Sequence, residues 1–454
     1  MNDLRELRNV AREIFDDALA AVDARRAVLD AVEFDGATLR VGEARFELDG
    51  DAPRVYSVAL GKAAAAMASA LDERLGKALV GGVLSAPRSD FKLSGRWRVY
   101  EGGHPLPNAE SMEAARAAFE LLRAADDPGA LVVFLVSGGG SAMMEFPRDE
   151  RLTLEEMREA NRVLVTCGAP IDEVNAVRRA LSALKGGGLA ALAPRAAQVT
   201  LVVSDVSAGR AYDVASGPTL PAPPDAPAVA ETAARYGLTS KLPAAVLRAL
   251  EVTGTRSPAR QSPEAGRTFH VLLDNASACE AAARAARGRG FAVEFARDLV
   301  VQHVAEGAAE LVNRLLDVYA RRGAEGGRGV CLISGGEFSC PVRGGGTGGR
   351  NSETALRVAF EFEKVSAERA ARAGLVPSHA VALCAGTDGI DGNSPAAGAL
   401  ADETTSARAR ARGLDPRKFL DESDAHTLFD RLGDAVVTGP TGTNVRDLRI
   451  LLAV

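Results

Sequence analysis

The chain has 454 residues, of which 47% are hydrophobic and 25% charged, with a formal net charge of −6 and five cysteines. That length exceeds one ordinary domain, so two are expected. The acidic balance, with no block of basic residues, argues against nucleic acid or an anionic membrane as partner and leaves room for a small anionic ligand.

No apolar run approaches the roughly 18 residues of a membrane span, and Met1-Asn-Asp-Leu-Arg5 has no signal-type apolar stretch. A cytoplasmic protein is expected. The cysteines are odd in number and form no C-x-x-C pair, which disfavours a disulfide framework or a zinc site. Cys331 and Cys384 lie within apolar runs and read as buried reduced thiols.

Apolar positions at Leu4, Leu7, Val10, Ile14, Leu19 and Val22 predict a packing helix over 3–26. Residues 34–48 alternate as a short hairpin. Strand 55–60 then meets Gly61-Lys62 and a helix over 63–75. A lysine at a strand-to-helix junction stands where anions bind, although a surface lysine is the plainer reading. No P-loop is present, because Tyr56 and Ala63 occupy positions that motif reserves for Gly and Ser/Thr. Short strands follow at 80–84 and 98–101. His104, before Pro105, reads as a turn residue. A helix over 109–124 leads to Leu131–Val136, a run apolar at every position, which is the signature of a strand buried on both faces of a parallel sheet. It empties into Ser137-Gly138-Gly139-Gly140-Ser141, whose bare backbone N–H groups and hydroxyls suit a phosphate.

Thr153-Leu-Glu-Glu156 is a capping box for a helix to about 166. A second helix from Pro170 carries Asn175, Arg178 and Lys185, with Gly186-Gly-Gly188 expected as its C-cap. Strand 199–204 delivers Asp205. Helices are expected at 226–236 and 243–250, and residues 253–267, rich in Ser, Pro, Gly and Arg, are expected as a linker. Strand 269–273, helix 276–287, strand 291–295 and helix 302–322 restart a βαβα pattern. Strand 330–333 ends in Ser334-Gly-Gly-Glu337. Residues 338–342 look like a hairpin arm. Gly344, Gly346 and Gly349 satisfy G-x-G-x-x-G but are misplaced for a dinucleotide, and read as a lip presenting Arg350 and Asn351 at the start of a helix. Strand 380–385 opens into Gly386-Thr-Asp388-Gly-Ile-Asp391, and helix 398–412, Gly439-Pro-Thr-Gly-Thr-Asn444 and strand 448–454 complete the pattern.

Open α/β sheets bind ligands at the carboxyl ends of strands, and four strands here end in Ser, Thr, Asp and Gly. The polar set is Lys62, Ser137, Ser141, Lys185, Asp205, Glu337, Arg350, Asn351, Asp388, Asp391, Thr441, Thr443 and Asn444. It offers no spacing for a Ser–His–Asp or Cys–His cluster and no H-E-x-x-H. Phosphoryl transfer needs mainly positioning, positive charge and a carboxylate-held Mg²⁺, which this set supplies. Asp205, Asp388, Asp391 and Glu337 are the expected metal-binding carboxylates.

Leu135–Ala142, Ile333–Glu337, Gly348-Gly-Arg-Asn351, Gly386–Gly392 and Gly439–Val445, with Asn175-x-x-Arg178, Ser182 and Lys185-Gly-Gly187, occur in an order that resembles the glycerate 2-kinase family, whose carboxyl-terminal half carries the MOFRL module. The resemblance spans nearly the whole chain. It implies two Rossmann-like α/β/α domains with mainly parallel sheets and a cleft between them: residues 1–252, a linker at 253–267, and 268–454 with MOFRL at about 330–450. It implies ATP-dependent phosphorylation of D-glycerate at its 2-hydroxyl, with Mg²⁺, to give 2-phosphoglycerate and ADP. Lys62 and Arg350 are implied to engage substrate and the transferring phosphate. Ser137, Gly138, Gly139, Gly140, Ser141, Lys185, Asn351, Thr443 and Asn444 are implied to hold the nucleotide. Two positions depart from the family pattern: Ser207-Ala-Gly-Arg210, where a Gly-Asp pair is usual, and Ser352, where Gln is common. A hydroxypyruvate reductase and a kinase for another small hydroxy acid are the alternatives. A homo-oligomer is compatible with all three.

Overall fold

The computed structural model describes residues 4–48, 53–254, 266–322, 328–368 and 377–454. The chain forms two compact units, one of residues 24–273 and one of residues 1–23 with 274–454. Among the described residues no helix is long and apolar enough to cross a membrane.

In the first unit β1 (Val32–Phe34), β2 (Thr38–Val41) and β3 (Ala44–Glu47) make a small antiparallel sheet. The main sheet contains β4 (Arg54–Leu60), β5 (Leu79–Ala86), β6 (Trp97–Glu101), β7 (Ala130–Ser137), β8 (Ala197–Val203) and β9 (Arg267–Leu273). Its order is β6-β5-β4-β7-β8-β9, and every neighbouring pair is parallel. The chain runs outward from β4 to β6, then returns to the other side of β4 with β7. The order therefore reverses between β4 and β7, and a doubly wound sheet opens its ligand crevice at that point. All eight residues of β7 are buried, as the unbroken apolar run requires. Helix Ala109–Ala124 covers one face through Ala114, Ala118 and Leu122, packed with Val58, Val132 and Phe134. Helix Leu154–Thr166 starts at the expected capping box of Thr153 and Glu156.

The second unit holds β10 (Ala292–Phe295), β11 (Val330–Gly336), β12 (Ala380–Gly386), β13 (Gly398–Asp402), β14 (Ala435–Val436) and β15 (Asp447–Ala453). The order is β10-β11-β15-β12-β13-β14. Only β10 and β11 pair in parallel, and the other four ladders are antiparallel. Because β15 lies antiparallel between β11 and β12, those two strands run the same way and their Gly-rich carboxyl ends share one edge with the start of β15. Successive residues of β15 serve opposite cores, as the two-residue strand period demands. Leu448, Ile450 and Leu452 meet Leu7, Ile14 and Phe15 of helix Leu4–Ala21. Leu451 and Ala453 meet Leu311 and Leu315 of helix Val304–Arg322.

The expected α/β architecture is present, but the expected mainly parallel sheet is found in the first unit only: in the second, β15 inserts antiparallel between β11 and β12 and makes the sheet mixed. The units do not divide at 252 and 268. Strand β9 completes the first sheet by pairing with β8, and helix Leu4–Ala21 buries its apolar face in the second unit's core. Of the expected linker, residues 255–265 lie outside the described residues. Residues 398–402 are the fully buried strand β13, not the start of a helix, because both its neighbours offer ladder partners that outweigh the helix preference of Ala and Leu. Residues 338–342 form no strand: Ser339 makes an isolated bridge with His303, and Phe338 is buried in the core beside Leu311 and Leu315, with Arg449 over its ring. The helix from Ile171 ends at Leu181, short of Gly186-Gly-Gly188. Those glycines instead donate to the next loop: Gly186 N to Ser216 O at 3.3 Å and Gly187 N to Gly217 O at 2.8 Å.

Candidate active site

At the reversal point of the parallel sheet, the turns after β4 and β7 are bonded to each other. Lys62 N donates to Gly138 O at 2.8 Å, and Ala63 N donates to Ser137 Oγ at 3.0 Å. Gly61 has φ +116, and a Cβ there would stand 2.4 Å from Ser137 O, so the junction requires glycine. Gly139 (φ +81) faces the side chains of both His104 and Lys62: a Cβ would lie 3.1 Å from the first and 3.3 Å from the second. Lys62 thus stands over the Ser-Gly-Gly-Gly-Ser turn as expected, and His104, read from the sequence as a turn residue, joins it. Ser137 is a correction. Its hydroxyl is fully buried and used by Ala63 N, so it latches the two turns and does not face a ligand.

The loop after β8 closes against the same turn. Asp205 begins it, half-buried. Ala215 (φ 51) and Ser216 (φ 62) are held in the left-handed region, a strained conformation for residues with a Cβ. Ser216 Oγ lies 2.7 Å from Ser141 Oγ and donates to Asn175 Oδ1 at 2.9 Å. Asp213, buried, receives Arg179 and both Nε and Nη2 of Arg210, at 2.9 and 2.6 Å. Arg210 belongs to the segment that departs from the family pattern, and its work here is to fix Asp213. Lys185 is a second correction. It is buried and paired with Glu145, which also accepts Ser182 Oγ at 2.5 Å. Burial lowers the Lys185 pKa, and Glu145 works against that shift. With its charge committed to Glu145, Lys185 is a structural residue and not a nucleotide contact.

In the second unit the polar cluster sits where β11 and β12 end. Asp447 is in register with both Gly336 and Gly386. Its carboxylate accepts Arg350 Nε at 2.6 Å, Arg350 Nη2 at 3.1 Å and Asn351 Nδ2 at 3.0 Å. Glu337 accepts Arg350 Nη2 at 2.7 Å. Burial disfavours the Arg350 charge, but Asp447 and Glu337 outweigh it and the pKa is raised. Arg350 Nη1 has no hydrogen-bond partner among the described residues. The guanidinium is therefore clamped on one side and open on the other. Thr387 Oγ1 donates to Arg446 O at 2.7 Å and accepts Val445 N at 2.9 Å, and Thr441 Oγ1 donates to Thr387 O at 2.6 Å. These bonds shape the 439–446 loop, in which Asn444 is buried and the buried hydroxyl of Thr443 finds no partner among the described residues. An orphaned buried hydroxyl at a strand-end loop suits a ligand atom.

The Domain of unknown function family DUF4147 matches residues 10–251, and the MOFRL family matches residues 330–447. The glycerate 2-kinase of Pyrococcus horikoshii is 32% identical, over 98% of this chain and 97% of its own. The chain belongs to the glycerate 2-kinase family. A protein of Agrobacterium vitis provisionally named a hydroxypyruvate reductase is 35% identical over 98% of this chain and 94% of its own. The crystal structure of the glycerate kinase from Thermotoga maritima superposes with a TM-score of 0.79 at 31% identity, covering 99% of this chain and 100% of that one.

In this glycerate 2-kinase family member the three expected metal ligands of the second unit, Glu337, Asp388 and Asp391, do not form one cluster. Among the described residues no group of three or more His, Cys, Asp or Glu side chains could hold a metal ion. Asp391 is buried and spends both oxygens on the start of helix Arg350–Glu368, accepting Asn351 N at 2.9 Å, Ser352 N at 2.8 Å and Ser352 Oγ at 2.7 Å. Ser352, the other departure from the family pattern, is thus part of that cap. Glu337 is an Arg350 partner. What remains is a small cradle: the absent side chain of Gly386 leaves space flanked by oxygens of Asp388 (3.1 Å) and Asp447 (3.5 Å). This fits a Mg²⁺ held by one or two carboxylates with phosphates supplying its other ligands, and does not fit a three-carboxylate cage. Asp447, Asn275, Asp213 and Ser216 were not singled out by the sequence. Asn275 accepts Gly336 N at 2.9 Å and donates to Val445 O and Asp447 O, tying the two strand ends together.

Proposed function

We propose that this chain catalyses ATP-dependent phosphorylation of D-glycerate at the 2-hydroxyl, yielding 2-phosphoglycerate and ADP. The observation that carries the reading is Arg350, held by Asp447 and Glu337 with Nη1 uncommitted. A guanidinium fixed in this way meets a carboxylate or phosphoryl oxygen without first having to be ordered. Phosphoryl transfer asks little else of protein side chains than such positioning and charge. Lys62 is assigned the second cation, at the Gly-rich turn after β7, where Gly139, Gly140 and Ser141 offer backbone N–H groups to phosphate oxygens. Asn351, Thr443 and Asn444 are assigned to ordering the strand-end loops around the ligand. Asp388 is the residue assigned to hold a Mg²⁺, which when bound would neutralise phosphate charge. Asp205 is retained as a second carboxylate of the parallel-sheet unit. Five free cysteines and the absence of a membrane-spanning helix among the described residues accord with a cytoplasmic setting, which belongs to this proposal.

The test combines the protein, Mg²⁺, ATP and D-glycerate with enolase and without phosphoglycerate mutase. Enolase accepts only the 2-phosphate, so immediate phosphoenolpyruvate is the expected result. ADP without phosphoenolpyruvate would refute the regiochemistry. No ADP, together with NADH oxidation on hydroxypyruvate, would replace the kinase by the reductase named for the Agrobacterium relative.

A further inference from the structure

Helix Ile171–Leu181 turns one face toward the strained loop after β8 and the segment after the Gly-rich turn. Asn175 on that face holds Ser216, and Ser216 meets Ser141. One turn later Arg179 holds Asp213 and Ser182 holds Glu145. Between them stands Arg178. It is half-buried, and among the described residues its Nε, sealed from solvent, has no hydrogen-bond partner and the side chain makes no ion pair. Its electrostatic neighbours are Glu145, whose carboxylate is already occupied by Lys185 and Ser182, and Lys185 itself. Two cations therefore share one carboxylate, and the direct partner of that carboxylate is the other cation. Two other arginines of the region are matched: Arg179 and Arg210 by Asp213, and Arg210 also lies near Asp172.

A guanidinium partly withdrawn from water and left without a counter-charge is costly, and folded proteins retain one chiefly where an anion completes it. We propose that Arg178 receives an oxyanion of a substrate at the reversal point of the parallel sheet, through the planar two-point contact that arginine makes with carboxylate and phosphate. Glu145 and Lys185 are its scaffold: the pair fills the space behind it and keeps Glu145 from neutralising it. The identity of the oxyanion, glycerate carboxylate or ATP phosphate, rests on the kinase reading, whereas the existence of the anion site does not.

The experiment is Arg178→Gln and Arg178→Lys in the full chain, with KM measured for D-glycerate at saturating ATP and for ATP at saturating D-glycerate. Loss of a charge-assisted contact raises the KM of one substrate by roughly 10- to 100-fold in Arg178→Gln and leaves the other unchanged. A rise for D-glycerate assigns the carboxylate, and a rise for ATP assigns the phosphate. Arg178→Lys keeps the charge but not the fork, so it recovers part of the loss and answers the question if the Gln variant does not fold. Unchanged KM values for both substrates in the folded variants would overturn the proposal, including the case where only stability falls. If wild-type protein turns over neither substrate, calorimetric titration with D-glycerate and with inorganic phosphate separates the two ideas. Binding of either that weakens in Arg178→Gln upholds the site while the kinase reading fails. Identical titrations, or none, overturn the site as well.

Discussion

Replacing Asp447 with alanine tests the clamp on Arg350. Asp447 has a side chain 2% exposed and accepts three hydrogen bonds, two from Arg350 and one from Asn351. Its removal leaves Arg350 attached to Glu337 alone. Hydrogen bonds to charged groups contribute about 1.5–3 kcal/mol each. The two from Arg350 share one guanidinium, so they do not add fully. The Arg350 side chain is also 36% exposed, and water will replace part of what is lost. Together these place the destabilisation at about 2–4 kcal/mol. Activity should suffer separately, because a guanidinium free to swing by about 1 Å can cost on the order of 10²-fold in rate. Urea denaturation gives the first quantity, and kcat/KM in the enolase-coupled assay, measured well below the melting temperature, gives the second. Stability within about 0.5 kcal/mol of wild type, the range of an ordinary surface change, with unaltered kcat/KM would show that Arg350 does not depend on Asp447.

Arg350→Lys should lower kcat/KM by about 10²-fold, since an ammonium cannot bridge Asp447 and Glu337 and still present a second nitrogen; wild-type kcat/KM in this variant would remove Arg350 from the mechanism. Glu145→Ala strands the buried Lys185 ammonium and should destabilise the protein by about 3–5 kcal/mol, read by denaturation. A loss no larger than that of a surface substitution would mean that Lys185 finds another partner. Burial pushes the thiol of Cys279 up to about 11 and that of Cys384 up to about 12. Cys331 is shifted in the same direction by the same cause. Ellman's reagent at pH 8 should therefore leave these three unmodified in the folded protein, with all five thiols reacting after denaturation. Prompt labelling of any of the three before unfolding would contradict the burial described.

What could be read from the sequence was whatever one segment decides for itself. Strand β7 was legible because a strand covered on both faces must be apolar at every position. The cap at Thr153 was legible because its partner lies three residues away. Lys62 and the Gly-rich turns were legible because backbone exposure after a strand has a local cause. The misreadings are matters of register and partnership. Gly-Ala-Leu-Ala-Asp402 has helix-forming composition, and only its place between β12 and β14 makes it a strand. Asp391 looks the same in sequence whether it binds a cation or caps a helix begun forty residues earlier. Lys185 and Glu145 declare themselves a pair only when the chain brings them together. Asp447 was invisible for the same reason: its importance is its alignment with two glycines on two other strands.

The place of β15 in the chain sets the order of assembly on the ribosome. The parallel sheet has all six of its strands by Leu273 and can close while synthesis continues. The mixed sheet cannot, because β15 lies between β11 and β12 and follows both of them, along with every other strand of that sheet. Helix Leu4–Ala21, made before all of these, can meet helix Asn275–Gly288 partway through synthesis, but the part of its apolar face that packs on β12 and β15 must wait for nearly the entire chain. During that interval Leu7, Val10, Ile14 and Phe15 are a partly covered nascent-chain segment of the kind chaperones hold, and a message truncated before codon 447 would leave the side that meets Leu448, Ile450 and Leu452 uncovered.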